Sequence, residues 1–403
     1  MSEILTEPET APTQDAQWFD QDVSYEFDEE FQGEDVIARN HFVTTILVSH
    51  NGAIWLPAVL TQLARTTRPP EVIVGVDAGS TDTSGEILTQ SLGQDRVVTL
   101  TDNPGFGASV NAGLELVPRP DFAADSRPTD TIEWVWLLHD DGAPDSGALE
   151  QMLVAADRSP NVGVFGPKIL GWHDRRLLLE VGVGITSDGR RVTGLERGEH
   201  DQGQHDGDRE VLAVSSAGML VRRDIFDALG GFDPELPLFR DDLDFCWRAH
   251  RMGERVFVAT QARLHHREAS AHGRRAQEQA KQTNSRLLRA DRKAAVHVLL
   301  AHASGVAGAL LAIRLFLGSA IRALVYLLGK DVSAAGAEFG AVFSVIRHPS
   351  RLRRSRALVA KTSIEPASVV SHLRPSTWEQ VRALGEAAAG LATTSGATTN
   401  TLS

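Results

Sequence analysis

From Phe42 onward the chain alternates short β-branched runs with stretches whose apolar residues recur every three or four positions. FVTTILVSHN reads as a buried strand ending in Ser49, His50 and Asn51, and Trp55 to Leu63 has helical spacing until Pro69 and Pro70 stop it. EVIVGVD is a second strand ending in Asp77, Ser84 to Leu92 a second helix, and VVTL a third strand. NPGFGASVNAG (Asn103 to Gly113) is a glycine-rich loop entering a helix, and WVWLLHDD drives a strand, Trp134 to Leu138, into His139, Asp140 and Asp141. This alternation predicts a mostly parallel sheet flanked by helices.

Further along, the pattern predicts a helix at Ser146 to Ala156 and a strand at Val162 to Phe165. Residues 171 to 210 read as a β-ribbon insertion or a loop over the site. Strand character returns at Val211 to Val221, a short helix covers Asp224 to Leu229, and GGFD (Gly230 to Asp233) makes a turn. Asp241, Asp242 and Asp244 open a helix through Trp247 and His250, where acids in the first turn also suit the helix dipole. RVFVA and RLHHREAS close this part near Ser270. Residues 274 to 293 are polar and helical, and Ala294 to Leu328 is apolar but carries His297, His302, Arg314 and Arg322. Its uncharged pieces fall short of the roughly twenty residues of a spanning helix, which predicts re-entrant or interfacial amphipathic helices. RHPSRLRRSRALVAK suits an anionic membrane surface.

Charge sharpens this division. The formal net charge is −13, yet residues 1 to 40 carry about twelve acids against Arg39 alone, whereas residues 262 to 361 carry roughly eighteen Lys and Arg against five acids. The expected organisation is an acidic disordered tail over 1–38, an α/β domain over 39–273, a helical, amphipathic, basic region over 274–361 and a low-complexity tail over 362–403. Trp18, Phe19, Tyr25, Phe27 and Phe31 are dense for a linker and suit docking on a partner or on the domain itself. The single cysteine, Cys246, excludes an intramolecular disulfide and a cysteine-based zinc cluster. The acidic start lacks the basic and apolar segments of a secretory signal, so none is expected.

Carboxylates at a strand's carboxyl end lie where open α/β sheets bind ligands, and two acids with an imidazole suit a divalent cation carrying a phosphorylated substrate. A solvated Asp-Asp-Gly turn is the alternative at those residues. The ordered set VSHN, VDAGSTD, NPGFGASVNAG, LLHDD, SSAGMLVRRDIFDALGGFD, FRDDLDFCWRAHRMG and LHHREAS resembles the inverting glycosyltransferases of family 2, of GT-A fold. Within them it is closest in pattern to the bacterial rhamnosyl- and galactofuranosyl-transferase-like branch.

The resemblance implies a nucleotide-diphosphate sugar donor, with Ser49, Asn51, Asp77, Asp82, Asn103, Gly105, Asn111 and Asp140 at the nucleotide sugar, and Gly113 allowing close approach. Ala78 stands where the family has a second acid, and His139 where its Asp-x-Asp motif has the first. It implies Mn²⁺ or Mg²⁺ on Asp141 and a histidine after the catalytic helix, where spacing to Ser270 favours His265 over His266. It also implies Asp242 as general base, with Asp241 beside it. Asp244, Trp247 and Gly231 fall on the acceptor side, Trp247 being the one for which a core role is favoured, and Gly230, Phe232 and Asp233 shape that side. No Gln-x-x-Arg-Trp motif follows the base, so transfer of one or a few sugars is expected. The acceptor is a glycan or lipid-linked hydroxyl, the place the cytoplasmic face of the cell membrane; nucleic acid is not an expected partner. A dinucleotide enzyme would need the Gly-x-Gly-x-x-Gly turn that SHNGAIW lacks. A non-catalytic nucleotide-sugar-binding membrane scaffold is the other reading: Ala78 and His139 favour it, and Asp141, Asp242 and His265 speak against it.

Overall fold

The structure is a computed structural model describing residues 39–117, 130–267 and 280–376, with the side chains of 280–285 excepted. The expected tail over 1–38 and its aromatics lie outside the described residues. Four parallel strands form one half of the sheet: β1 (His41–Ser49), β2 (Val72–Ala78), β3 (Val97–Leu100) and β4 (Ile132–His139), in the order β4-β1-β2-β3. The connecting helices are α1 (Leu56–Ala64), α2 (Ser84–Leu92) and α3 (Phe106–Glu115). A short strand, β5 (Gly142–Pro144), follows, where the sequence suggests only a turn, and then helix α4 (Ala148–Arg158).

Beyond β4 the sheet continues through β6 (Val162–Gly171) and, past the ribbon pieces β7 (Leu178–Glu180), β8 (Gly184–Ile185), β9 (Arg191–Val192) and β10 (Arg209–Glu210), through β11 (Leu220–Arg222). β11 is antiparallel between β4 and β6. Helices α5 (Arg223–Leu229) and α6 (Asp241–Arg251) precede β12 (Arg255–His266), which runs parallel to β6 and antiparallel to β5. The expected mixed, mostly parallel sheet flanked by helices is therefore present. The strand expected over Val211 to Val221 shrinks to three residues, because a turn with Gly218 at φ +94° breaks the run before Leu220.

Side-chain alternation sorts the core onto the two faces of the sheet. Ile46, Val48, Val135 and Leu137 join one cluster, and Val43, Leu47, Trp134, Trp136 and Leu138 join the other. The first cluster does not end at the α/β layers: it takes in Phe232, Phe245 and Trp247, and then Val296, Leu299 and Leu315 from the C-terminal helices.

Those helices are α7 (Ala280–Ala301), α8 (Gly305–Leu328), α9 (Val332–Arg347) and α10 (Pro349–Thr362). α8 is unbroken where interruption was expected, because both arginines turn toward protein: Arg314 donates to the Ser187 carbonyl, and Arg322 pairs with Glu338 of α9 and with Asp188. It is long and apolar enough to cross a membrane, with only 17% of its most apolar window buried. Val306, Leu310, Ile313, Leu317, Ile321 and Leu324, spaced three and four apart, form an exposed stripe. The segment after α10, expected as low-complexity tail, is in part structured. Ile364 and Glu365 donate to the Arg251 carbonyl, and a 3₁₀ turn at Ala367–Leu373 follows, with Val370 fully buried.

One buried ionic network joins these parts. Asp244 of α6 accepts from Arg248 Nε at 2.7 Å and lies 2.9 Å from His302 Nε2, in the α7–α8 connection. Arg248 also donates to the carbonyls of Leu229 and Gly231, and the His302 ring stacks on Trp247 at 4.2 Å. Burial opposes the charge on Asp244, but Arg248 and His302 outweigh it and hold the carboxyl well below its usual range. Replacing Asp244 with Ala leaves the Arg248 guanidinium buried without its counter-ion, and should lower unfolding free energy by about 3–5 kcal/mol. Equilibrium urea unfolding at neutral pH checks this, and a loss below about 1 kcal/mol would mean the network does not hold α6.

Candidate active site

The register of the parallel strands gathers the functional residues at one edge. Ser49 pairs with Asp77, Val48 pairs with His139, and the loops leaving β1, β2 and β4 meet there. Gly79, at φ +64°, lets the β2 loop lie against the backbone of Asp102, so the β3 loop joins them. This is the ligand-binding edge of open α/β sheets.

The first two loops are tied by their own side chains. Asn51, at φ +52°, receives the Thr81 N–H on its Oδ1 at 2.8 Å, and its own N–H donates to Ser80 Oγ. Asp82 accepts from Ala53 N and from Ser84 N and Oγ. Asp77 Oδ1 accepts from Ser80 N at 3.1 Å, and Gly85 is required beneath it, because a Cβ there would come within 2.6 Å of Oδ2. Ser49, Asn51, Asp77 and Asp82 are thus brought together at this edge. Asn103 caps its own loop by accepting from Gly105 N, and Gly105, at φ +99°, approaches the Pro237 carbonyl. Asn111 stands elsewhere, exposed on α3 with its amide against Gly231.

Asp140 takes a supporting place instead of an open one. It is 1% exposed, and its Oδ2 accepts from Ser49 Oγ and from His50 N, both at 2.9 Å. A Cβ on Gly52 would stand 2.0 Å from that same oxygen. The pair Ser49–Asp140 therefore clamps the β1 loop to the end of β4.

His139, Asp141 and His266 place one donor atom each within 4.8 Å of one another, with His266 Nε2 at 3.2 Å from Asp141 Oδ1. Two imidazoles and a carboxylate converging at strand ends are a donor set for a divalent cation, so these residues fit one. His265 does not join them. Adjacent residues of a strand face opposite sides, and His265 turns to Asp145 Oδ1 at 3.0 Å, the Gly171 carbonyl at 3.1 Å and Arg175 at 3.2 Å. Asp145 is held below the usual carboxylate range, since the His265 hydrogen bond and the charges of His265, Arg175 and Arg263 outweigh its burial. Spacing favours His265, whereas the geometry sets His266, one residue further on, beside Asp141.

The Asp241–Asp242 pair opens α6, and both are nearly buried. Asp242 accepts from Leu243 N at 2.7 Å and from both terminal nitrogens of Arg191, at 2.9 and 3.2 Å. Arg191, on β9, also pairs with Glu180 of β7; burial opposes its charge, but Asp242 and Glu180 raise its pKa. Sequence reasoning missed Arg191, one of several arginines in a ribbon with no motif. Burial and the neighbouring Asp242 push the Asp241 carboxyl up to about 7. Asp244 and Trp247, expected on the acceptor side, are 0% and 1% exposed and belong to the ionic core described above, which corrects that expectation for Asp244. Gly231, at φ +73°, gives its carbonyl to Arg248. Phe106 links the two halves, its ring 4.5 Å from His139 and 5.8 Å from Phe232, which meets Phe245 of α6 at 5.0 Å.

Comparison with known proteins bears on the family of the chain. The chain is 24% identical over 241 residues to an N-acetylglucosaminyl-diphospho-decaprenol L-rhamnosyltransferase of Mycobacterium tuberculosis, covering 55% of this chain and 75% of that protein. It is 29% identical over 213 residues to an O-antigen biosynthesis protein of Myxococcus xanthus, covering 52% of this chain and 16% of the relative. Among solved structures, a Pyrobaculum calidifontis mannosyltransferase in complex with GDP-mannose and Mn²⁺ aligns over 86% of this chain and 90% of its own, at 14% identity and TM-score 0.44. The model of the family described as glycosyltransferase like family 2 matches residues 42–287. With the larger part of the chain so matched, this protein belongs to the family 2 glycosyltransferases.

Proposed function

We propose that this protein moves a sugar from a nucleotide-diphosphate donor to the hydroxyl of a lipid-linked or cell-envelope glycan acceptor, inverting the anomeric carbon. The observation that carries this reading is the cluster His139, Asp141 and His266 beside the tied β1 and β2 loops, in a chain of this family. The loops with Asn51, Asp77, Asp82 and Asn103 hold the nucleotide. Bound at the cluster, Mn²⁺ or Mg²⁺ would neutralise charge on the departing diphosphate. Asp242 accepts the proton of the attacking hydroxyl, and Arg191 fixes the direction of its carboxylate. The lipid-linked acceptor is supported by the M. tuberculosis relative, whose name gives a diphospho-decaprenol substrate.

The helical region, taken as 274–361, would hold the α/β domain, taken as 39–273, on the cytoplasmic face of a membrane. The exposed stripe of α8 enters the apolar boundary, and the Arg347 guanidinium, 5.7 Å from the Phe343 ring on α9, marks its charged rim.

Asp242→Asn should lower kcat by about 10²- to 10⁴-fold at every pH with little change in donor affinity. Asp241→Asn should instead keep turnover and remove an ionisation near pH 7 from the rate profile, the value at which burial holds this carboxyl. Steady-state kinetics against pH decide between them; the reverse pattern would make Asp241 the base.

Calorimetry of UDP with MnCl₂ should show weakened metal-dependent binding in Asp141→Ala and in His266→Ala, and near-wild-type binding in His265→Ala. Equal loss in all three would return His265 to the site.

In flotation experiments the chain should rise with anionic vesicles and less with neutral ones. Failure to float with either would leave α7 to α10 as a soluble helical layer.

A further inference from the structure

The cluster at the end of β4 departs from an all-oxygen cation site in its chemistry. Two of its three donors are imidazoles, and Asp141 is its one carboxylate. His139 sits where the ring is restrained on two sides: Phe106 lies 4.5 Å away between ring centres, and Ser216 Oγ is 3.2 Å from Nε2. A hydrogen bond at one ring nitrogen is how metal-binding imidazoles are commonly oriented. The His266 ring stands edge-on to it at 5.6 Å. Both rings are therefore built into the strand ends and do not hang from a free loop.

We propose that this site selects first-row transition ions of the Mn²⁺, Fe²⁺ and Co²⁺ class and discriminates against Mg²⁺. The proposal rests on the metal-assisted reading above and narrows it. Mg²⁺ is a hard ion that takes oxygen ligands in near-ideal octahedral geometry and gives up water reluctantly. Replacing a carboxylate by the neutral His139 ring halves the negative charge of a two-acid donor set and removes an oxygen, and both changes fall hardest on Mg²⁺. A transition ion recovers the loss through nitrogen donation, and its affinity rises from Mn²⁺ through Fe²⁺ to Co²⁺.

The test uses the full chain and the metal chlorides alone, read by isothermal calorimetry, with pulsed EPR of bound Mn²⁺ for nitrogen couplings. Wild type should bind Co²⁺ more tightly than Mn²⁺, and Mn²⁺ at least about tenfold more tightly than Mg²⁺. The Mn²⁺ spectrum should show imidazole nitrogen. His139→Asp should narrow or reverse the gap between Mn²⁺ and Mg²⁺ and weaken the nitrogen signal, leaving the share from His266. Equal affinity for Mg²⁺ and Mn²⁺ in wild type would overturn the selectivity and leave the metal site standing. Absence of binding for all three ions would overturn the metal reading and this proposal together. Should His139→Asp unfold, the wild-type ranking and its nitrogen couplings decide by themselves.

Discussion

Everything placed around α6 depends on one buried carboxylate. A charge with no access to water persists only when its partners are fixed, because the cost of stripping its solvent exceeds any single contact. Asp244 meets that condition through Arg248 from its own helix and His302 from the C-terminal helices. Arg248 also donates through Nη1 and Nη2 to the carbonyls of Leu229 and Gly231, which flank the turn after α5. The helix start bearing Asp241 and Asp242, the glycine turn and the C-terminal helices are thereby fixed in one step. A layer that looks accessory in the sequence supplies part of the frame for the proposed chemistry.

The same economy of charge shapes the site itself. The two acids at the start of α6 are adjacent, and their environments differ: Arg191 pairs with Asp242, whereas burial and its neighbour's charge lift Asp241. Glu180 completes the neutralisation of Arg191 and fastens the ribbon insertion to the head of the helix. The ribbon thus reaches the acids through one guanidinium, so its place in the sequence, far from any motif, understates its contribution.

Legibility in the sequence followed the range of the interactions. The strands β1, β2 and β4 could be read because each is rich in apolar and β-branched residues and largely buried, β3 because its short VVTL run fits the same alternation although only Val97 is buried, and Ser49, Asn51, Asp77 and Asp82 because they lie at or just after strand ends. The β11 fragment could not, since Gly218 breaks it and its pairing to β4 and β6 is long-range. His265 and His266 differ only in the side they face, which the pairing of β12 with β5 sets at 142–144, more than a hundred residues away. Arg191 and His302 are single residues whose partners come from distant segments, and no local spacing marks them. Asp244 resembled a ligand-facing acid because a first-turn carboxylate looks the same whether its partner is a substrate or a buried arginine.

Gly52 shows what such close fitting means for reading variants of this chain. It carries no chemistry, yet the space its side chain would need is filled by the Asp140 carboxylate. Asp140 is the covalent neighbour of Asp141 and the anchor of the β1 loop. A single methyl group at position 52 would therefore be transmitted along the backbone to Asp141 of the proposed cation cluster and across the sheet edge to the β1 loop at once. A genetic screen would score that substitution as a loss of both proposed binding functions, although Gly52 lends no side chain to either. Null alleles at this glycine report on tolerance in the joint between two strands, and assigning them to substrate recognition would place a contact where there is only a shortage of room.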